Sequence, residues 1–144
     1  MTQHNAAAHH DLDWLLDGMV RQVAGVGHAV LLSDDGLVMG SSTTLGRADA
    51  ERLAAIATGQ QSLARGIGEI FDGGPVQQVM VELADLWLFL TSAGRGTHLA
   101  VIASQEVDAE LIAVAMHTLV RQVGQKLGTE ARRPEAAGRP GRPE

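Results

Sequence analysis

The stretch VGHAVLLSDDGLVMGS, residues 26–41, constrains the fold of this chain more than any other. Two apolar runs, Ala29-Val30-Leu31-Leu32 and Leu37-Val38-Met39, flank Ser33-Asp34-Asp35-Gly36. The Asp-Gly pair favours the positive φ angles of a tight turn, so the stretch reads as a β-hairpin. Neither run alternates between apolar and polar residues. Both faces of the sheet must therefore be covered, and amphipathic segments on either side can supply the cover.

Upstream, Leu12, Leu15, Leu16, Met19, Val20 and Val23 recur at i, i+3, i+4, i+7, i+8 and i+11, one face of a helix. Asp11 is its natural N-cap and Gly25 its terminator. Residues 1–10 show no period and read as a flexible lead-in. Within it His9 and His10, adjacent side chains with no converging ligands, point to no metal site. Trp14 lies off the apolar stripe, beside Asp17 and Arg21, and reads as a half-exposed packing residue, with a contact anchor as the alternative.

A second helix is expected over residues 47–67. Leu53, Ile56, Ala57, Gln60, Leu63, Ala64 and Ile67 form its inward face, and Glu51, Thr58, Ser62 and Arg65 its outward one. Ala50, Ala54, Ala57 and Ala64 line one flank, where small side chains let another backbone come close. The connector GIGEIFDGGP, residues 66–75, resembles a phosphate loop only superficially, because it follows a helix and lacks the Gly-Lys-Ser/Thr ending.

Three strands follow. Residues 76–83 alternate, with Val79, Val81 and Leu83 on one face and Gln78, Met80 and Glu82 on the other; residues 86–91 are apolar on both faces and belong in the middle of the sheet. Ala84-Asp85 and Gly94-Arg95-Gly96 are short turns, so residues 76–103 form an antiparallel meander. Asp108 then caps a last helix whose stripe is Ile112, Met116, Leu119, Val120, Val123 and Leu127, with Gly128 as its stop. The tail, residues 129–144, holds three of the four prolines and no apolar residue larger than alanine, and is expected to be disordered. The order helix, two strands, helix, three strands, helix predicts an α+β domain over residues 11–128, with a five-stranded antiparallel sheet covered by helices on both faces.

Composition removes several functions. The formal net charge of −6 and the presence of only Trp14, Phe71, Trp87 and Phe89 as aromatic residues argue against a nucleic-acid binder. Without cysteine there is no disulfide or thiol chemistry. No apolar run approaches the ~18 residues of a membrane span, so a cytoplasmic protein that does not insert into membranes is expected. His28 and His98 sit on strands as hydrogen-bonded structural residues, with no Asp or Glu spaced to complete a site. Catalytic, metal-binding and cofactor-binding residues are therefore expected to be absent.

The Leu-rich first helix before VAGVGHAVLLSDDGLVMGSS, the helix ADAERLAAIATGQQSLARG and the strands VQQVMVELADLWLFLTSAGRGTHLAVIAS resemble the Roadblock family of dynein-light-chain-like domains, particularly its bacterial MglB-like members. The resemblance covers residues 12–128. It implies a non-enzymatic homodimeric adaptor that regulates a small Ras-like GTPase, beside a membrane sensor-kinase-like protein that would recruit it to the membrane periphery. Such dimers join edge strands and pack second helices side by side. Here that contact would take in Ala50, Ala54, Ala57, Gln61, Ala64, Gln78 and Met80, and would leave Glu51, Thr58, Ser62 and Arg65 as the surface for the GTPase. No residue matches an arginine finger, Arg95 included.

The alternative is a small-molecule-sensing domain of the PAS or GAF kind, which needs a cavity with convergent polar groups. Only His28, His98 and Gln60 could line one. An enzyme is the weakest of the three readings. Because the tail has nothing large and apolar to dock, truncation after Gly128 is expected to shift the melting temperature by less than about 2 °C, checked by thermal unfolding of both chains.

Overall fold

A computed structural model describes residues 2–138, and the side chains of residues 11–128. In chain order it contains α1 (Thr2–Gln22), β1 (Val26–Ser33), β2 (Val38–Ser41), α2 (Arg47–Ile70), β3 (Gln78–Glu82), β4 (Leu86–Gly94), β5 (Thr97–Ser104) and α3 (Ala109–Gly138). The hairpin forms where the Asp-Gly pair puts it. Its turn takes a positive φ at Gly36 alone, 85°, with Gly36 N–H on the Ser33 carbonyl at 2.9 Å and Ser33 N–H on the Leu37 carbonyl at 2.9 Å. This is the three-residue loop that ends in a left-handed glycine, in place of a two-residue loop with two positive angles. Arg95-Gly96 between β4 and β5 is the two-residue kind, with φ of 54° and 72°.

The five strands form one antiparallel sheet in the order β2-β1-β5-β4-β3. β1 leaves the hairpin to pair with β5, from Val26↔Ala103 to Ser33↔Thr97, which joins the N-terminal hairpin to the C-terminal meander. Alternate side chains then serve opposite faces. Ala29, Leu31, Phe89, Leu99 and Val101 join a core with Leu12, Leu16, Met19, Ile112, Met116 and Val123 of α1 and α3. Val30, Leu32, Leu88, Leu90 and Ala100 join a second core with Ala50, Leu53, Ala54 and Ala57 of α2. Burying one leucine or valine side chain contributes roughly 1.5–3 kcal/mol, against about 0.3–0.5 for an exposed helical ion pair. The two apolar layers therefore outweigh exposed pairs such as Arg47–Glu51 and Arg52–Asp49, both at 3.4 Å.

α1 is fixed over β2 by its acidic flank. Asp13 Oδ1 accepts the Ser41 N–H at 2.8 Å, and Asp17 Oδ1 accepts the Thr43 N–H at 2.7 Å. Lys126 of α3 reaches Asp11 of α1 at 2.8 Å, so the two helices run antiparallel on their face of the sheet. Asp108 caps α3 as expected, its Oδ1 accepting the N–H groups of Glu110 and Leu111 at 3.0 and 3.2 Å.

Three helix boundaries differ from the sequence reading. α1 begins at Thr2, so Asp11 is not its N-cap and the stretch read as a flexible lead-in is helical. Ala6-Ala7-Ala8 is the strongest local helix former available, and extending a helix already docked through Leu12 and Leu16 costs far less than nucleating one. α3 likewise continues past Gly128 to Gly138, through Glu130, Ala131, Arg132 and Arg133, in place of the disorder expected there. The side chains of His9 and His10, and residues 139–144 entirely, lie outside the described residues. α2 runs to Ile70, which places Gly66 and Gly68 in the helix and not in the connector. Gly68 is needed there, because a Cβ would stand 2.3 Å from the Gly74 carbonyl oxygen as the chain doubles back.

Gly40 has the same role under α1. A Cβ at this position would lie 3.0 Å from the Leu12 Cβ and 3.3 Å from the Leu16 Cδ1. Gly40→Val is therefore expected to push α1 off β2 and to lower stability by about 1–3 kcal/mol, measured as a lower urea midpoint at unchanged slope.

Candidate interaction surface

A five-stranded open sheet has two edges, and they are not equally open. β2 has four residues, its pairing with β1 is broken by a bulge between Leu31 and Leu32, and its Ser41 N–H is already held by Asp13. Short length, a bulge and an occupied donor each discourage a further strand. β3 at the other edge pairs with β4 in unbroken register, from Gln78↔Thr91 to Glu82↔Trp87, and its outer side has no neighbouring strand among the described residues. A second chain can therefore add to the sheet at β3.

α2 decides what stands beside that edge. Ala50, Ala54 and Ala57 are 2%, 0% and 0% exposed and lie on the sheet with Leu53. Small side chains let the helix axis settle close to Val30, Leu32 and Leu90. One flank faces the hairpin: Glu51 borders the β2 groove, and a Cβ on Gly36 would lie 2.9 Å from the Thr58 hydroxyl. With the alanines down and that flank turned to β2, the opposite flank looks toward the β3 edge. It carries Ile56, Leu63, Ile67 and Ile70, which follow one another at helical spacing and are 55%, 72%, 62% and 76% exposed. Phe71, 75% exposed, closes the row. Scattered exposed apolar residues are normal, but these share one flank of a single helix.

This arrangement corrects the face assignment made from sequence. Ala50, Ala54 and Ala57 are buried in the protomer's own core, so no second helix can approach them; Gln61 and Ala64 are half-buried beside them. Gln78 and Met80 are exposed, but Met80 pairs with Phe89 on the α1/α3 face, opposite α2. The set read as one interface is thus divided between two faces. Ile56, Leu63 and Ile67, expected inside, are outside. The signal was present, since α2 has two apolar stripes, and the alanine stripe is the one that can lie flat on a sheet already full of leucine and valine. Of the proposed partner-facing residues, Ser62 and Arg65 are exposed, Glu51 is exposed and paired with Arg47, and Thr58 is half-buried with its hydroxyl donating to the Ala54 carbonyl at 2.8 Å.

The histidines have partners that their local sequence does not show. His98 Nε2 lies 2.5 Å from Asp34 Oδ1, across 64 positions of sequence, and ties β5 to the hairpin turn. His28 Nδ1 is 2.9 Å from the Thr44 hydroxyl, which also reaches the Gly27 carbonyl at 2.8 Å. These are separate clips. Among the described residues no group of three or more His, Cys, Asp or Glu could hold a metal ion, and no helix is long and apolar enough to cross a membrane.

The family profile described as Roadblock/LC7 domain matches residues 12–103. Among solved structures, a Roadblock/LC7 domain from Streptomyces avermitilis is 46% identical with a TM-score of 0.76, the alignment covering 80% of this chain and 96% of that one. Myxococcus xanthus MglB is 15% identical with a TM-score of 0.76, covering 85% and 91% of the two chains. The gliding protein mglB from Thermus thermophilus is 12% identical with a TM-score of 0.72, covering 83% and 90%. No protein with a curated description matches.

The buried alanines give a direct test of the face assignment. Ala54→Leu is expected to lower protomer stability by about 1–3 kcal/mol, because a larger side chain must enter a filled layer. A denaturant titration that leaves the midpoint unchanged would return Ala54 to the outer surface.

Proposed function

Because the chain belongs to the Roadblock/LC7 domain family, we propose that it acts as a non-enzymatic homodimeric adaptor that regulates a small Ras-like GTPase. The observation that carries this reading is the row Ile56, Leu63, Ile67 and Ile70 beside the open outer edge of β3. Two copies related by a two-fold axis would extend the sheet from β3 to β3 and bury the two rows against each other. One contact serves the open edge and the apolar flank together, which no single-chain rearrangement does.

Such a dimer would set two α2 helices side by side with their polar flanks outward. Glu51, Ser62 and Arg65 then stand on a continuous surface, which is the proposed docking site for the GTPase. The crest of α2 between the two flanks is low. A Cβ at Gly59 or Gly66 would meet nothing within 4 Å, so neither glycine serves the protomer's own packing, although glycine inside a helix costs about 1 kcal/mol relative to alanine. A partner that approaches the crest closely accounts for both. The proposed place in a signalling or polarity complex, and recruitment to the membrane periphery by a sensor-kinase-like protein, belong to the same reading.

The sensor alternative finds less support. The sheet-facing sides of the helices are filled by aliphatic side chains, and the polar groups that would line a pocket do not converge. His28 is bound to Thr44, His98 to Asp34, and Gln60 stands half-buried on α2.

The dimer is tested at an exposed position, where the protomer's fold is not at stake. Leu63→Asp is expected to keep the wild-type circular dichroism spectrum and to yield a folded monomer in sedimentation at micromolar concentration. A loss of ~2 kcal/mol at each of two symmetric sites weakens association on the order of a thousandfold. The same variant should lose any effect of the wild-type chain on nucleotide hydrolysis or exchange by its GTPase. An unchanged dimer would overturn the proposed contact.

A further inference from the structure

The sheet face opposite α2 carries a second surface that the dimer does not use. α1 and α3 lie antiparallel there, and between them runs an open groove of about 370 Å³, continued by a further hollow of about 440 Å³ toward the Asp11–Lys126 pair. Its walls hold three large apolar residues left in solvent, Trp14 at 66%, Val114 at 65% and Leu111 at 49% exposure. Gly18 stands midway along the α1 wall, one helical turn after Trp14. A Cβ there would meet only the tip of the Arg21 side chain, at 3.9 Å, so the protomer's own packing does not require glycine. Interrupting a helix with glycine where there is room for a larger residue opens the wall for another backbone.

We propose that this groove is a docking site for an amphipathic helix of a partner protein, one whose apolar ridge is flanked by carboxylates. The site's shape selects a helix, because two antiparallel helices leave between them the furrow into which the ridge of a third packs. Trp14 is the anchor on one wall, Leu111 and Val114 form the other, and Gly18 is the notch that admits the incoming backbone. Charge selects the acidic flank. Among the described residues, Arg21 is the one charged residue in the lining of the 370 Å³ groove, and the continuing hollow adds the mutually paired Asp11 and Lys126. The groove is thus locally cationic on a chain of net charge −6. A second copy of the same face fits poorly, since the only carboxylate its lining would offer Arg21 is Asp11, already paired with Lys126. The proposal is independent of the α2 dimer, which lies on the other side of the sheet.

The test uses the full chain and a displayed library of helix-biased peptides about four turns long. These carry aliphatic or aromatic residues at i, i+3, i+4 and i+7, and Glu, Gln, Lys or Arg at the flanking positions. The expected result is enrichment of Glu-flanked sequences whose synthetic forms shift the Trp14 emission to the blue in a saturable way. Binding should fall at least tenfold in Gly18→Leu and in Trp14→Ala, and Arg21→Glu should reverse the preference toward Lys and Arg. Both groove-wall variants alter exposed or open positions, and the α2 dimer, followed by sedimentation, should be unaffected by either. The proposal is overturned if no sequence is enriched, if Arg21→Glu leaves the flank preference unchanged, or if binding survives both Gly18→Leu and Trp14→Ala. It is also overturned if the chain alone forms species larger than the dimer that Gly18→Leu abolishes, because the occupant is then a second copy.

Discussion

Everything in this fold depends on the pairing of β1 with β5. It brings together residues about seventy positions apart and converts a local hairpin and a local meander into one sheet. At its centre Ala29, Val30, Leu31, Leu99, Ala100 and Val101 are all fully buried, so each strand needs cover on both faces. Neither half of the chain can meet that need alone. The helix before the hairpin and the helix after the meander share one face, and the helix between hairpin and meander takes the other.

The two faces are covered in different ways, and the difference leaves two different surfaces. On the α1/α3 side, leucine, methionine, isoleucine and valine of the helices interdigitate with the sheet and hold the helices at a distance that leaves a furrow between them. On the α2 side the helix presents Ala50, Ala54 and Ala57 with Leu53 and sits close, so the aliphatic row on its flank does not reach the sheet. Ile56, Leu63 and Ile67 are left outside by geometry. An apolar flank that a monomer cannot bury, beside a strand with an unused edge, is the basis of the proposed assembly. The opposite edge is less open, with a break in register and the Ser41 N–H held by Asp13.

The polar contacts mostly position the layers and add little net energy. Asp13 and Asp17 hold the segment after the bulged edge to α1, His98 and Asp34 join β5 to the hairpin turn, and Asp108 starts α3. Each fixes a junction where two elements would otherwise slide. The chain shares its overall fold with the Streptomyces avermitilis domain at 46% identity and with the MglB structures at 12–15%. Layer order and spacing are thus kept where most side chains differ.

Strand order within the meander, the hairpin and its Asp-Gly turn, the last helix with its cap, and the covering of both sheet faces were all legible in the sequence. Each rests on interactions between residues close in the chain or on a simple period, such as the apolar run of residues 86–91. The sequence alone did not determine which stripe of α2 faces inward. Both an alanine stripe and an aliphatic stripe are compatible with a helix, and hydrophobicity by itself favours burying the larger one. Only the tertiary structure decided for alanine, because the sheet already fills its own layer with Val30, Leu32, Leu88 and Leu90, and of the large side chains of α2 only Leu53 finds room among them. The partners of His98 and Ser41, the ends of α1 and α3 and the furrow between them were settled in the same way, by where distant residues meet once the sheet has closed.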